Sequence, residues 1–391
     1  MNKIISNLVL LLLLTFTLKA QSSFSIVYTS GLEGHKIYRI PAIIQNGQGA
    51  LLAFAEGRVK GSNDFGDINI VLKRSTDGGK TWSALQTLVD FQDLQAGNPT
   101  PILDSTDPRF PKGRIFLFYN TGNNHEGEVR RGRGLREVWY ITSTDGGTTW
   151  SEPVNITLQV HKPNQPKMNP AYQFKEDWRH YANGPGHGLQ FSSGKFKGRL
   201  FVPANHSEGG FGDHGVDYRA HAFYSDDHGK TFHLTESIAI PGSNESTAAQ
   251  LSKNGLMLNI RNQKADIHAR IVSKSYNGGA SWDTTYFDHQ LPDPICQGSL
   301  LSIPQKKGPF VLAFSNAADA QNRDNLTLRI SKDEGITWPI LIPIDNSALS
   351  GESPKDFTAY SDLVNMDSNH IGIIYERKDY SQIVFKNIQW K

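Results

Sequence analysis

One octapeptide constrains this chain more than any other feature. Ser75-Thr76-Asp77-Gly78-Gly79-Lys80-Thr81-Trp82 recurs nearly unchanged as Ser143-Thr144-Asp145-Gly146-Gly147-Thr148-Thr149-Trp150. Worn copies start at Ser225, Ser275 and Ser331, so the start-to-start spacings are 68, 82, 50 and 56 residues. An internal repeat decides an architecture before any local propensity does. These spacings are too long for helical solenoid units and suit four strands plus variable loops. Runs that are β-branched, aliphatic and free of proline lead into the boxes, among them Ile68 to Arg74, Val138 to Thr142, Arg270 to Lys274 and Leu326 to Ile330. Asp-Gly-Gly supplies a tight turn, because Gly tolerates positive φ and Asp bonds its own backbone two residues on. The closing Trp or Phe is expected to pack back under that turn. Five boxes plus one segment without a box predict an all-β, six-bladed β-propeller of four-stranded antiparallel blades.

Residues 1–20 read as a cleaved secretory signal: Lys3, then the apolar run Leu8 to Leu14, then Ala20 before Gln21. The run is too short to span a bilayer comfortably. The expectation is therefore a secreted or periplasmic protein with no membrane span, whose residues 21–391 form a single catalytic domain. Of 40 basic and 38 acidic residues, the segment 1–20 removes Lys3 and Lys19 and leaves 38 of each. A balanced chain has no electrostatic footprint for nucleic acid. The single cysteine, Cys296, excludes an intramolecular disulfide. The histidines, notably His187, His206, His214, His221 and His268, look scattered and show no zinc spacing, so no metal or cofactor is expected.

Three arginines stand out when taken together with the repeat, although any one alone reads as a surface or salt-bridge residue. Arg39 lies among apolar neighbours in Tyr-Arg-Ile-Pro, Arg261 ends an alternating apolar run, and Arg323 sits in a polar loop before a strand. Glu245 precedes Arg261 by sixteen residues, with a turn signal at Lys253-Asn254-Gly255 between them. An antiparallel hairpin would bring the two together at one end.

With the boxes, Tyr38-Arg39-Ile40-Pro41 resembles the signature of the exo-α-sialidases (neuraminidases) of bacteria and animals. The resemblance runs from about Tyr28 to the C-terminus through Ala55-Glu56-Gly57-Arg58, Tyr181-Ala182-Asn183-Gly184-Pro185, Cys296-Gln297-Gly298-Ser299, Ala359-Tyr360-Ser361-Asp362 and Ile374-Tyr375-Glu376. Several of these are similar to the cytosolic mammalian member. It implies a six-bladed propeller and a retaining hydrolase for terminal α-linked sialic acid on glycoproteins, glycolipids and oligosaccharides. By motif, Arg39, Arg261 and Arg323 hold the substrate carboxylate, which guanidinium forks grip bidentately. Glu376 braces Arg39 and would tie the end of the chain to its beginning. Tyr360 is the nucleophile and Glu245 its base, a neutral phenol approaching a carboxylate-bearing carbon without like-charge repulsion. A nearby arginine is expected to ease formation of the phenolate. The general acid is Asp64, with Asp67 second, and its pKa is expected to rise when substrate closes the site. Arg58, Tyr181 and Gln297 match substrate-binding positions. The partner is thus a sialylated glycan, and the protein is expected to be a monomer. The same site would serve a trans-sialidase or an anhydro-forming enzyme. The boxes alone would also fit a non-catalytic sialic-acid-binding propeller.

Overall fold

The computed structural model describes residues 24–391 except 211, 213 and 214. Residues 1–20, expected to be a secretory signal, lie outside the described residues. Each box closes on itself by hydrogen bonds that its residue types dictate. In the first, the Ser75 hydroxyl donates to Asp77 at 2.8 Å and accepts from the Gly79 amide at 2.8 Å. Asp77 also accepts from the Thr81 amide and hydroxyl at 3.0 and 2.6 Å. Asp145, Asp227 and Asp333 repeat the pattern, and Asn277 varies it by donating to the Ser281 hydroxyl.

The boxes reach beyond their own hairpins. Gly79, at φ 86°, stands where a Cβ would meet the ring of Phe385 at 2.1 Å. Only glycine permits both that conformation and that approach. Trp82 lies edge-on to the same ring and donates its indole N–H to Ser25 at 3.0 Å. Phe385 and Ser25 belong to the sheet that closes the molecule, so the first box fastens one sheet to its neighbour instead of tucking only under its own turn. Gly229 does the same against Phe116, while Gly147 meets Leu52, a residue of its own sheet.

The expectation of six four-stranded blades is not met. Four sheets stand apart as blades, and the remaining strands, from Ile37–Gln45 to Val154–Asn155, form one continuous eight-stranded sheet. The join is a single parallel bridge, Ile68 to Gln95, reinforced where the Ile68 amide donates to the Leu94 carbonyl at 3.3 Å. The repeat spacing counts turns between strands. It cannot show that the chain after Gln86–Val89 turns back against the start of Ile68–Ser75. One of the separate sheets has five strands, because Tyr181–Asn183 and Leu189–Gln190 both pair with Leu200–Ser207. The closing sheet takes its outer strand from the other end of the chain: Ser25–Thr29 pairs with Gln382–Gln389. Joining the ends in one sheet removes an open edge.

The innermost strands form a closed ring. Ile37–Gln45 lies between Thr358–Asn365 and Gln95–Asp104, which is followed by Tyr181–Asn183 and Leu200–Ser207, then Ser243–Gln250, then Gly298–Ile303, which returns to Thr358–Asn365. The apolar core fills the wedges between neighbouring sheets, as in the cluster that joins Phe118, Val138, Tyr181, Val202 and Phe223. Polar side chains are left to meet at the axis. Among the described residues no helix is long and apolar enough to cross a membrane.

Candidate active site

Four inner strands bulge where they reach one end of the axis. The register slips between Arg39 and Ala42, Gly97 and Thr100, Ser243 and Ser246, and Thr358 and Ser361. Arg39, Asn98, Glu245 and Tyr360 lie at these slips. A bulge re-aims a side chain that a regular strand would point into the sheet packing. Ile40 has φ 57°, a left-handed conformation that a β-branched residue adopts only when its surroundings force it. Pro41, which cannot donate to a ladder, is the one sequence signal for this break.

The bulged residues line a cavity of about 300 Å³. Glu245 and Arg261 face each other across the predicted hairpin, Oε2 to Nη1 at 2.7 Å. The Tyr360 hydroxyl donates to Glu245 Oε1 at 2.7 Å and accepts from Arg261 Nη1 at 2.9 Å. The guanidinium carbons of Arg39 and Arg323 lie 5.4 and 5.6 Å from the centre of the Tyr360 ring. All three arginines therefore converge on one phenol, although they are far apart along the chain. Arg323 is steered by the Tyr380 hydroxyl at 3.1 Å and the Ile295 carbonyl at 3.1 Å. Tyr380 in turn donates to Asp356 at 2.8 Å and stacks under Arg39 at 3.8 Å.

Glu376, fully buried, accepts from Arg39 Nε at 2.7 Å, from the Ile40 amide at 2.8 Å and from the Tyr360 amide at 3.1 Å. It fixes a side chain and both bulges at once. Burial alone would lower the Arg39 pKa, but Glu376, Tyr380 and Tyr360 together outweigh it and keep the guanidinium charged. For Tyr360, burial and then Glu245 push the phenol pKa well above its ordinary value, against Arg261 and Arg323. Arg261 and Arg323 ease phenolate formation as expected, but desolvation and Glu245 outweigh them and the resting phenol is neutral.

Asp64 pairs with Arg58 at 2.7 Å, and its side chain is 76% exposed at the cavity mouth. Desolvation pushes its carboxyl up, but Arg58, Arg39 and Arg323 together hold it below the usual carboxylate range. Asp67 does not line the cavity. Arg58 does, braced by Glu56 at 2.7 Å and the Ser62 carbonyl at 2.6 Å.

Two expected binding residues are elsewhere. Tyr181 is fully buried, with its ring against His161 at 4.7 Å and His221 at 5.3 Å. Its neighbours His180 and Ala182 line the cavity instead, because successive strand residues face opposite sides. Gln297 is buried beneath the site, where it accepts from the Ser361 amide at 3.1 Å and donates to the Pro185 carbonyl at 3.2 Å. It positions the Tyr360 strand and does not line the cavity. Two of the histidines meet: His206 stacks on Trp178 at 3.5 Å and lies 3.1 Å from His221, while His187 pairs with Asp362.

The structure adds cavity residues that sequence reading missed, among them Glu56, Gln95, Asn98, Glu126, Arg136 and His180. Glu56 sits within the quoted Ala-Glu-Gly-Arg run and could have been noticed. The others come from segments without any recurring motif.

A ring of antiparallel sheets stapled by these boxes, with its polar groups gathered at one end of the axis, defines a β-propeller of the BNR-repeat class. A BNR repeat-like domain matches residues 49–374. The chain is 30% identical over 379 residues to the sialidase of Micromonospora viridifaciens, covering 92% of this chain and 53% of that protein. It is 30% identical over 328 residues to the exo-alpha-sialidase of Arthroderma benhamiae, covering 78% of this chain and 69% of that one. The chain thus spans about half the length of the first relative. Among solved structures, the Hadza microbial sialidase Hz136 superposes with a TM-score of 0.76 at 26% identity, covering 94% of this chain and 68% of that one. The chain belongs to the sialidase family.

Proposed function

We propose that this protein is a retaining exo-α-sialidase acting on terminal α-linked sialic acid. The observation that carries the reading is the convergence of Arg39, Arg261 and Arg323 on the Tyr360 phenol, whose proton is already held by Glu245. Three guanidinium groups match a carboxylate on the reacting carbon. In this reading they hold that carbon over the phenol oxygen. Glu245 takes the phenol proton as the C–O bond forms, and Asp64 protonates the departing oxygen. Water then attacks the tyrosyl-sialoside with Asp64 as base, returning the proton to Tyr360 through Glu245. Glu376 has no part in proton transfer; it keeps Arg39 and the Tyr360 backbone in place.

Proton NMR of the reaction on 3′- and 6′-sialyllactose tests this. Free sialic acid should appear first as the α-anomer and then mutarotate. A β-anomer as first product would sink the retaining mechanism, and an anhydro sugar would shift the reading to an intramolecular transferase.

The resting ion pair of Asp64 with Arg58 sets a pH dependence. The proposed acid must carry a proton, and in the free site Arg58, Arg39 and Arg323 depress its pKa. A bound sialoside carboxylate would neutralise Arg39 and Arg323 and exclude water, which raises that pKa. The profile of kcat/KM reports the free protein and that of kcat the complex. The alkaline limb should therefore lie at higher pH in kcat than in kcat/KM, and Asp64→Asn should abolish it in both. Coincident limbs, or the reverse order, count against Asp64.

A further inference from the structure

Arg39, Arg261 and Tyr360 stand on strands, but Arg323 lies in the loop between Val311–Ala317 and Leu326–Ser331. No strand fixes the direction of its side chain. Two neutral acceptors do: Nη1 donates to the Tyr380 hydroxyl at 3.1 Å and Nη2 to the Ile295 carbonyl at 3.1 Å. The nearest carboxylate, Asp356, is 3.8 Å from Nε and spends its shorter contact, 2.8 Å, on accepting the Tyr380 hydroxyl proton. A phenol and a carbonyl orient a guanidinium fork without cancelling its charge. A carboxylate bonded in their place would compete with any anion the triad is to hold.

Tyr380 also serves Arg39. The guanidinium carbon of Arg39 lies 3.8 Å from the centre of the Tyr380 ring, while Glu376 holds Nε from the side. One side chain therefore sets the positions of two of the three arginines, one by its face and one by its oxygen. Tyr380 itself does not line the cavity, so its effect reaches a ligand only through them.

The backbone that carries these contacts is strained. Lys378, Asp379 and Tyr380 follow one another in the turn between the last two strands at φ 53°, 49° and 61°. Ile295 has φ 61° and Asp356 φ 52°. None is glycine, and such conformations persist only where the surroundings over-determine them. Here the Lys378 amide donates to the Phe357 carbonyl at 2.8 Å, the Asp379 amide to the Asp356 carbonyl at 3.1 Å, and the Ser30 hydroxyl to the Tyr380 carbonyl at 2.7 Å. The turn is tied to both ends of the chain and to the loop that bears Asp356.

We propose that Tyr380, fixed on this turn, is a positioning residue that aims Arg39 and Arg323 at a single ligand carboxylate. The proposal rests on the sialidase reading of the site and adds to it a residue that acts on carboxylate recognition without touching substrate.

The test compares calorimetric Kd values for an unsaturated sialic-acid analogue and its methyl ester, which lacks the carboxylate charge. The unaltered protein should bind the acid more tightly than the ester. Tyr380→Phe keeps the ring face and loses only the oxygen. It should shrink that advantage by about tenfold, the worth of one hydrogen bond to a charged group. Tyr380→Leu also loses the face under Arg39 and should shrink it about fivefold further. A folding defect would weaken acid and ester alike and leave their ratio unchanged. Should the leucine variant not fold, the phenylalanine variant alone carries the comparison. An acid-to-ester ratio unmoved by Tyr380→Phe overturns the proposal. Equal binding of acid and ester by the unaltered protein would instead sink the carboxylate reading of the triad. A crystal structure of Tyr380→Phe then decides the positioning role: a displaced Arg323 guanidinium supports it, and an unmoved one overturns it.

Discussion

Tyr360→Phe should lower kcat for a sialoside by about 10³-fold or more while leaving carbohydrate binding within a few-fold, since losing a nucleophile removes a unit of the mechanism. The physical basis is the hydrogen bond from the phenol to Glu245 at 2.7 Å, in a site where burial pushes the phenol pKa well up. Such a phenol is no nucleophile until a base takes its proton. Glu245→Gln should therefore cost about 10²- to 10⁴-fold in kcat, the usual range for a general base. The double variant should be no worse than Tyr360→Phe alone, because groups that act together lose their effect together. Steady-state kinetics on an activated sialoside checks all three. Turnover by Tyr360→Phe within about tenfold of the unaltered protein would remove Tyr360 from the mechanism, and additive losses would show that the two side chains act in separate steps.

Glu376→Ala should be the most destabilising single change near the site. Its carboxylate, fully buried, holds the Arg39 guanidinium and the amides of Ile40 and Tyr360. Removing one partner of a buried ion pair costs about 3–5 kcal/mol, because the other charge stays buried and unpaired. Each stranded amide adds a smaller penalty. Urea unfolding should show a lower midpoint at an unchanged slope, the mark of lost stability without a change in exposed surface. Glu376→Gln keeps the shape and one acceptor oxygen, and should lose less. Activity should fall in both variants, since Arg39 and Tyr360 depend on the same carboxylate for position. A Glu376→Ala protein with an unaltered midpoint would mean that the bulges at Ile40 and Tyr360 hold themselves.

Much of the reactive core was legible in the chain because it rests on short, recurring words. Tyr-Arg-Ile-Pro marks Arg39, and the turn at Lys253-Asn254-Gly255 pairs Glu245 with Arg261 whatever the rest of the fold does. Tyr181 was misplaced by strand alternation, and Gln297 because it lies beneath the Tyr360 strand. A motif gives a residue's position along a strand, but not the face on which it emerges, and one step of strand alternation exchanges Tyr181 for His180 and Ala182 at the cavity. Glu126 and Arg136 carried no signal, since a lone acid and a lone arginine look like surface residues until folding buries them.

The amino-acid sequence alone determined that the chain is a β repeat held by five Ser-x-Asp-type turns, and which three arginines to watch. Hydrogen bonding local to a few residues suffices for the turns, and the resemblance to a known family marks the arginines. Tertiary structure decided the rest: that strands expected in separate blades fuse through the bridge from Ile68 to Gln95, that Tyr181 and Gln297 lie off the cavity, and that Glu126 and Arg136 line it. These depend on contacts between segments remote in the chain, where closing the ring sets which side chains meet. No local pattern encodes that closure.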